Sequence, residues 1–217
     1  MKRYDDLQFN GLILVQDTDY PCFTEDSVLL VNFLQLKKND RVVDLGSGTG
    51  ILSVLGQAKT GASFTGIEKH EALCGLARES ASINGQDIPF YAMDIADAPA
   101  FFGEGAFSAA VCNPPYFSSG DRSERIFRAD ARHAGEVPEV FLKAANRLVR
   151  NGGDLYLCYP AERLCDIIVL LRNVHFEPKL IRFVPGREAV PRLVLIRARK
   201  NAGPGLRYVP FSFDQQS

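Results

Sequence analysis

The chain has 217 residues, of which 46% are hydrophobic and 24% charged, which is typical of one globular domain with a sizeable core. No apolar stretch approaches the roughly 20 residues that a membrane helix needs, and residues 11–15 are too short for a signal-peptide core. The five cysteines are odd in number and include no Cys-x-x-Cys pair. The cysteine pattern therefore favours a reducing cytoplasm and argues against a disulfide framework or a zinc ribbon.

The net charge of −1 conceals an asymmetry along the chain. Residues 1–121 hold 8 Lys and Arg against 16 Asp and Glu, whereas residues 122–217 hold 17 against 10. Arginine dominates the basic part, and its guanidinium suits phosphate. Two interpretations stay open on charge alone: a surface for nucleic acid, or a solvated face whose arginines pair with nearby carboxylates.

Hydrophobic periodicity predicts strands that alternate with helices. The predicted strands are 41–45, 63–67, 89–92, 107–112 and 154–159, and the predicted helices are 51–59, 70–84, 137–149 and 161–172. Two further strands, 179–184 and 193–199, follow with no helix between them. Upstream, Glu25, Asp26 and Ser27 are candidates to cap a helix over 28–36.

Strands separated by helices imply a mostly parallel sheet covered on both faces, because each crossover needs a dozen or more residues. The last two strands imply an antiparallel edge hairpin. The predicted fold class is therefore α/β, a doubly wound, Rossmann-like sheet of seven strands. We expect a single domain over residues 1–217, since no linker or internal repeat is present. A monomer is also expected.

A glycine-rich turn joins the first of these strands to its helix, with the sequence DLGSGTG over residues 44–50. Glycines let the backbone approach a ligand, and the helix N-terminus offers free N–H groups. The third glycine comes one residue too early for a dinucleotide fingerprint, and no Lys-Ser/Thr pair follows as in a P-loop. Asp44 would repel a pyrophosphate and attract a cationic amine, such as the amino acid end of S-adenosylmethionine.

Two more acids follow the next two predicted strands. Glu68 ends one strand, where its carboxylate can accept hydrogen bonds from both hydroxyls of a ribose. Asp94 follows the next and is placed to accept from an adenine amino group, with the backbone N–H of Ile95 beside it. Each acid alone is typical of a helix cap or a solvated loop. Three acids at successive strand ends beside a glycine turn predict a nucleoside cofactor site.

The fourth strand leads into Asn113-Pro114-Pro115-Tyr116. The prolines stiffen this loop and remove two donors, so that acceptors remain. The side-chain oxygen of Asn113 and the carbonyl of Pro114 can accept from one NH₂ group, and the Tyr116 ring can stack on a heteroaromatic ring. An exocyclic amine conjugated to a base ring is a poor nucleophile because its lone pair is delocalised into the ring. Two fixed acceptors favour the pyramidal geometry that can attack a sulfonium methyl. A rigid turn with asparagine as a local cap is the alternative.

Together, the glycine turn and the Asn-Pro-Pro-Tyr segment resemble the class I S-adenosylmethionine-dependent N-methyltransferases that act on planar NH₂ groups. Within these, the chain is most similar to the bacterial tRNA adenine-N6 methyltransferases that modify valine tRNA beside the anticodon. The likeness runs from about residue 9 to residue 209. Outside the two motifs, residues that are less specific for the family also contribute to the likeness: Gln16, Phe23, Asp26, Leu29, Leu30, Ala131, Arg132, His133, Gly152, Gly153, Glu162, Arg163, Leu164, Asp166, Ile167, Gly205 and Leu206.

The resemblance implies which residues bind the cofactor and the substrate. Contacts with S-adenosylmethionine are expected from Asp44, Gly46, Ser47, Gly48, Gly50, Glu68, Asp94 and Ile95. Thr24 and Asp26 would help to close the cofactor pocket from the N-terminal segment 1–40. Asn113, Pro114 and Tyr116 would hold the target amine and ring.

An arginine-rich loop over residues 117–135 is a candidate RNA-binding segment. Its arginines, expected to hold the phosphates beside a splayed-out base, are Arg122, Arg125, Arg128 and Arg132. A loop without function is the alternative. No metal is expected, because the three histidines have no ligand spacing.

Methylation of adenine N6 in tRNA is the favoured interpretation, and three alternatives stay open. The same tetrapeptide serves methylation of a glutamine side chain in a release factor, and guanine N2 of ribosomal RNA is another target. A catalytically silent cofactor-binding subunit is the third. The short segment before the first strand and the basic second half favour RNA over a protein substrate.

Overall fold

Strands alternate with helices along most of the chain in the computed structural model, which describes residues 1–20, 22–114, 137–186 and 190–211. The elements up to the first long gap are β1 (Lys2–Asp6), β2 (Ile13–Asp17), α1 (Glu25–Phe33), β3 (Arg41–Leu45), α2 (Ile51–Thr60), β4 (Ser63–Glu68), α3 (Glu71–Ile83), β5 (Phe90–Ala92), α4 (Ala98–Phe102) and β6 (Phe107–Cys112). The remaining elements are α5 (Val137–Leu148), β7 (Val149–Pro160), a 3₁₀ turn (Ala161–Arg163), α6 (Leu164–Asn173), β8 (Phe176–Pro185), β9 (Pro191–Lys200) and β10 (Arg207–Tyr208).

The main sheet has eight strands in the order β10-β8-β9-β7-β6-β3-β4-β5. Strand β3 lies parallel to β4 on one side and to β6 on the other, so the strand order reverses between β3 and β6. Strand β9 is antiparallel to both β7 and β8. The predicted doubly wound sheet with a late antiparallel hairpin is confirmed. The predicted number of seven strands is wrong by one, because β10 has two residues and no periodicity to detect.

Both faces of the sheet are buried, as a parallel sheet requires. Val42 of β3 belongs to the core formed with α1, α2 and α3. Its neighbour Val43 belongs to the core formed with α5 and α6, because successive side chains of a strand point to opposite faces. None of the helices in the described ranges is long and apolar enough to cross a membrane.

The N-terminal segment contains a hairpin that the sequence did not predict. Strands β1 and β2 pair antiparallel, and β2 is fixed to α3 by a hydrogen bond from the Val15 N–H to the Ser80 hydroxyl at 2.9 Å. The Phe23 N–H donates to the buried Gln16 side chain at 2.8 Å. These contacts fix the path of the chain into α1.

Helix α1 begins three residues earlier than predicted. Thr24 is its N-cap in extended backbone, and the helix ends at Phe33. Glu25 and Asp26 lie in the first turn, where carboxylates interact favourably with the helix dipole. Ser27 is therefore inside the helix and is not its cap, which leaves its hydroxyl available for another partner.

Candidate active site

The predicted site residues that follow β3, β4 and β6 within the described ranges converge where these parallel strands end. Leu45, the last residue of β3, pairs with Ile67 of β4 and with Cys112 of β6. The glycine turn after β3 therefore lies between Glu68 at the end of β4 and Asn113 after β6. Open α/β sheets bind their ligands at such a reversal of strand order.

Hydrogen bonds to β4 fix the glycine turn. The N–H groups of Gly46 and Ser47 donate to the Ile67 carbonyl at 2.8 and 2.9 Å. The Gly48 N–H donates to Oε2 of Glu68 at 3.0 Å. The turn and the predicted ribose-binding carboxylate are thus one hydrogen-bonded unit.

The three glycines of the turn meet different surroundings. A Cβ atom on Gly46 would lie 2.9 Å from the Phe141 ring, and one on Gly50 would lie 3.0 Å from the Ala77 Cβ. Gly48 has a φ of +52°, and an added Cβ would meet nothing within 4 Å. Its backbone is therefore open to a ligand, whereas Gly46 and Gly50 allow close packing. The cofactor contact predicted for Gly50 stays a prediction.

Asp44 is fully buried beneath the turn. Its Oδ2 accepts from the Ser53 hydroxyl at 2.7 Å, and its buried Oδ1 has no hydrogen-bond partner in the described ranges. Burial raises the pKa of Asp44 to about 7; the charge of Glu68 adds to the rise and the Ser53 hydrogen bond opposes it. The Ser47 hydroxyl is also buried and unpartnered there. An orphaned carboxylate oxygen and an orphaned hydroxyl suit the amino acid end of S-adenosylmethionine.

The acids on the next two strands are held in fixed positions. Glu68 is 6% exposed, and its Oε1 accepts from the His70 N–H at 3.0 Å. The Met93 N–H donates to the Glu68 carbonyl at 2.9 Å, which brings Asp94 beside the end of β4. The exposed Asp94 side chain accepts from the Ala96 N–H at 3.0 Å. Each carboxylate keeps free acceptor capacity, which the proposed ribose and adenine contacts require.

Asn113 is held from two sides by residues that the sequence analysis did not assign to the site. Its Nδ2 donates to the Ser27 hydroxyl of α1 at 3.1 Å, and its Oδ1 accepts from the Cys158 thiol of β7 at 2.8 Å. A carbonyl oxygen has two lone pairs, so Oδ1 can accept one further hydrogen bond. Pro114 follows and is buried. No sequence signal identified Ser27 or Cys158, because both contacts join distant strands and helices.

Helix α1 is itself fastened to the far side of the sheet. Nη1 of Arg192 on β9 donates to Oδ1 of Asp26 at 2.5 Å, and Nη2 donates to Glu25 at 3.1 Å. The structure thus gives Asp26 a role in positioning α1 and gives Thr24 the role of helix cap. Their direct part in closing the cofactor pocket stays a prediction, as does the cofactor contact of Ile95, whose side chain is buried in the core.

Several predicted residues lie outside the described ranges. They are Tyr116 of the tetrapeptide and Arg122, Arg125, Arg128 and Arg132 of the arginine-rich loop. Within the described ranges, no group of three or more His, Cys, Asp or Glu side chains is suited to hold a metal. Burial raises the pKa of the Cys112 thiol, which is typical of a cysteine that packs in the core and not of a nucleophile.

The sheet order and the glycine turn at its reversal are those of the class I methyltransferase fold. A predicted O-methyltransferase from Agrobacterium tumefaciens superimposes with a TM-score of 0.69 at 20% identity over 85% of each chain. Pyrococcus horikoshii TYW2, in complex with MeSAdo, superimposes with a TM-score of 0.64 at 17% identity over 93% of this chain and 72% of that one. Both likenesses show the fold.

The chain belongs to the methyltransferase small domain family, whose model matches residues 23–165. Two curated relatives are tRNA1(Val) (adenine(37)-N6)-methyltransferases. That of Shewanella amazonensis is 36% identical over 124 residues, which cover 55% of this chain and 53% of the relative, about half its length. That of Shewanella halifaxensis is 28% identical over 176 residues, which cover 79% and 72%.

Proposed function

We propose that this protein transfers a methyl group from S-adenosylmethionine to the exocyclic N6 of an adenine beside the anticodon of valine tRNA. The observation that carries the proposal is the doubly held Asn113 carboxamide, which follows β6 across the sheet reversal from the glycine turn. The two relatives, both tRNA1(Val) (adenine(37)-N6)-methyltransferases, support adenine 37 of tRNA as the target. We further propose that residues 1–217 act as one domain, with segment 1–40 closing the cofactor pocket.

The cofactor supplies, when bound, a methyl group on a positively charged sulfur. Asp44 and the open backbone at Gly48 would hold its amino acid end, since the orphaned Oδ1 of Asp44 needs a donor. Glu68 would accept from the ribose hydroxyls. Asp94 and the N–H of Ile95 would bind the adenine, with hydrophobic support from the surrounding core.

The target amine is activated by acceptors in fixed positions. Oδ1 of Asn113 would accept one hydrogen of the amine and the Pro114 carbonyl the other, while Tyr116 stacks on the base. With both hydrogens held, the nitrogen lone pair is localised and directed at the methyl carbon. As the nitrogen–methyl bond forms, the bond from that carbon to sulfur would break and release the neutral thioether. The amine proton would then pass to solvent, so no strong general base is needed.

The tRNA would approach from the side of residues 117–135. We assign the phosphate contacts beside the flipped nucleotide to Arg122, Arg125, Arg128 and Arg132. A base in an anticodon loop must leave its stack to reach Asn113, and cationic side chains on the flanking phosphates would stabilise that conformation.

The proposal is tested by separate incubations of the protein and methyl-labelled S-adenosylmethionine with unmodified total tRNA, with ribosomal RNA and with a release factor, followed by digestion and identification of the labelled nucleoside or amino acid. Label in N6-methyladenosine of the tRNA, formed roughly 10²- to 10³-fold more slowly by Asn113→Ala, is the expected result. Label that instead enters ribosomal RNA or a release-factor glutamine would refute the substrate and retain the chemistry. No label in any of the three would refute the proposed activity.

A further inference from the structure

Three arginines share one face of the outer strands. Arg182 lies on β8, Arg197 on β9 and Arg207 on β10. Arg182 pairs with Leu195, whereas Leu180 pairs with both Arg197 and Arg207. Paired residues share a face of the sheet, as do residues two apart on one strand. Arg197 and Arg207 therefore flank Arg182 at diagonal positions, where long side chains can meet.

The central arginine is buried without a counter-charge. Arg182 is 9% exposed and stacks over the Phe33 ring, with its guanidinium carbon 5.4 Å from the ring centroid. Its Nε makes no hydrogen bond within the described ranges, nor does the buried Nε of Arg197. Arg197 donates instead from Nη1 to the neutral amide of Gln35 at 2.5 Å. Stacking uses the flat face of a guanidinium and leaves the N–H groups at its edge unused.

Two other arginines on β9 are paired with carboxylates, unlike Arg182, Arg197 and Arg207. Arg199 donates from Nε and Nη2 to Asp154 at 2.8 and 3.0 Å, and Arg192 pairs with Asp26 on α1. No carboxylate of the described ranges lies within salt-bridge distance of Arg182, Arg197 or Arg207. Leaving a buried charge unpaired is strongly unfavourable, and a cluster of guanidiniums is suited to bind phosphate.

We propose that Arg182, Arg197 and Arg207 form a phosphate-binding site separate from the catalytic centre. This inference rests on the proposed function, and the group that we expect in the site is a backbone phosphate of the tRNA substrate. The site and the catalytic amide lie against the same helix, since Phe33 ends α1 and Ser27 near its start holds Asn113. Six helical residues separate these two contacts along the axis by about 9 Å, the rise of roughly three nucleotides in one strand.

The test compares tRNA affinity in three single-charge variants across a series of potassium chloride concentrations. Arg182→Gln and Arg207→Gln should each weaken binding of unmodified tRNA by roughly 3- to 10-fold and reduce the slope of log K against log salt by about 1. The matched control is Arg172→Gln, which removes the same charge from an arginine paired with Glu177 at 3.2 Å. Arg207 is exposed, so its variant keeps the test valid if the buried substitution impairs folding.

A second arm identifies the source of the phosphate. Inorganic phosphate should raise the Tm of the native protein above that in chloride of equal ionic strength, and both site variants should lose this increment. If phosphate raises the Tm of the native protein and the site variants lose this rise but bind tRNA as tightly as the native protein, the site is retained and RNA is refuted as its occupant. The proposal would be overturned if Arg182→Gln and Arg207→Gln lost no more tRNA affinity, and no more of the rise in Tm with phosphate, than Arg172→Gln does.

The methylated product is a separate readout. If the labelled nucleoside is not N6-methyladenosine, the proposed function fails. Loss of the phosphate increment in Arg182→Gln and Arg207→Gln would still support the site in that case.

Discussion

The two halves of the sheet obtain their site residues in opposite ways. On the side of β3, β4 and β5, each functional group lies within a few residues of a strand end, as Asp44, Glu68 and Asp94 do. On the side of β6, β7 and β9, the groups that hold Asn113 come from distant segments, including Ser27 and Cys158. Under the proposed function, recognition of the cofactor is thus built from local turns, whereas orientation of the Asn113 amide depends on long-range packing.

The largest effect should come from the residue that faces the target amine. Asn113→Ala should lower kcat by roughly 10²- to 10³-fold, the scale of losing one preorganised polar partner. Cofactor affinity, measured by calorimetry, should stay within about twofold because the glycine turn does not depend on this side chain. An equal loss of cofactor affinity would instead make Asn113 a structural residue and remove the contrast between the two halves.

The buried carboxylate of the cofactor half should make binding depend on pH. The pKa of Asp44 is raised to about 7 in the folded protein, so below that pH the side chain is protonated and cannot pair with an ammonium group. Cofactor affinity should fall up to about tenfold per pH unit below about pH 7. The variant Asp44→Asn should bind weakly at every pH, with this dependence lost.

Asp44 should also affect stability with a definite sign. Between about pH 4 and about pH 7 the folded protein retains a proton that the unfolded chain has released, so the free energy of unfolding should fall as pH rises through this window. Denaturant unfolding of the native protein and Asp44→Asn at both ends of the window measures the difference. A contribution from Asp44 that rises with pH would contradict an elevated pKa.

A smaller effect should follow from loosening the catalytic amide. Ser27→Ala and Cys158→Ala should each lower kcat by roughly 3- to 10-fold, equivalent to about one hydrogen bond, with the KM for tRNA little changed. In an Asn113→Ala background the same substitutions should have almost no further effect on kcat. If each substitution lowered kcat by the same factor in the Asn113→Ala background as in the native protein, both residues would act on stability and not through Asn113.

Ser80→Ala is the matched control for that double-mutant cycle. It removes another fully buried serine hydroxyl, which accepts from the Val15 N–H of the N-terminal hairpin. Thermal stability should fall while the kcat per folded molecule is retained. A drop in kcat equal to that of Ser27→Ala would make the effect of Ser27 nonspecific.

The elements around β3, β4 and β5 are more predictable from the sequence than the partners of Asn113, and the reason is physical. The strand at 41–45, its glycine turn and the following acids are encoded in local periodicity and in residues with special backbone freedom. The start of α1 was misplaced because Ser27 has the preferences of a cap, although its hydroxyl is used by Asn113. The partners of Asn113 and the pair of Arg192 with Asp26 depend on which strands become neighbours, and local patterns carry no information about that.

These long-range contacts have a consequence for how the chain becomes active during synthesis. Cys158, which donates to the Asn113 carboxamide, lies 45 residues later in the chain. Arg192, which fastens α1 through Asp26, lies 166 residues after Asp26. Strand β9 also inserts between β7 and β8, so the sheet closes only when nearly the whole polypeptide has left the ribosome. A nascent chain can build the side of β3, β4 and β5 first, whereas the Asn113 amide can be held from both sides only after β7 has been synthesised and has packed beside β6.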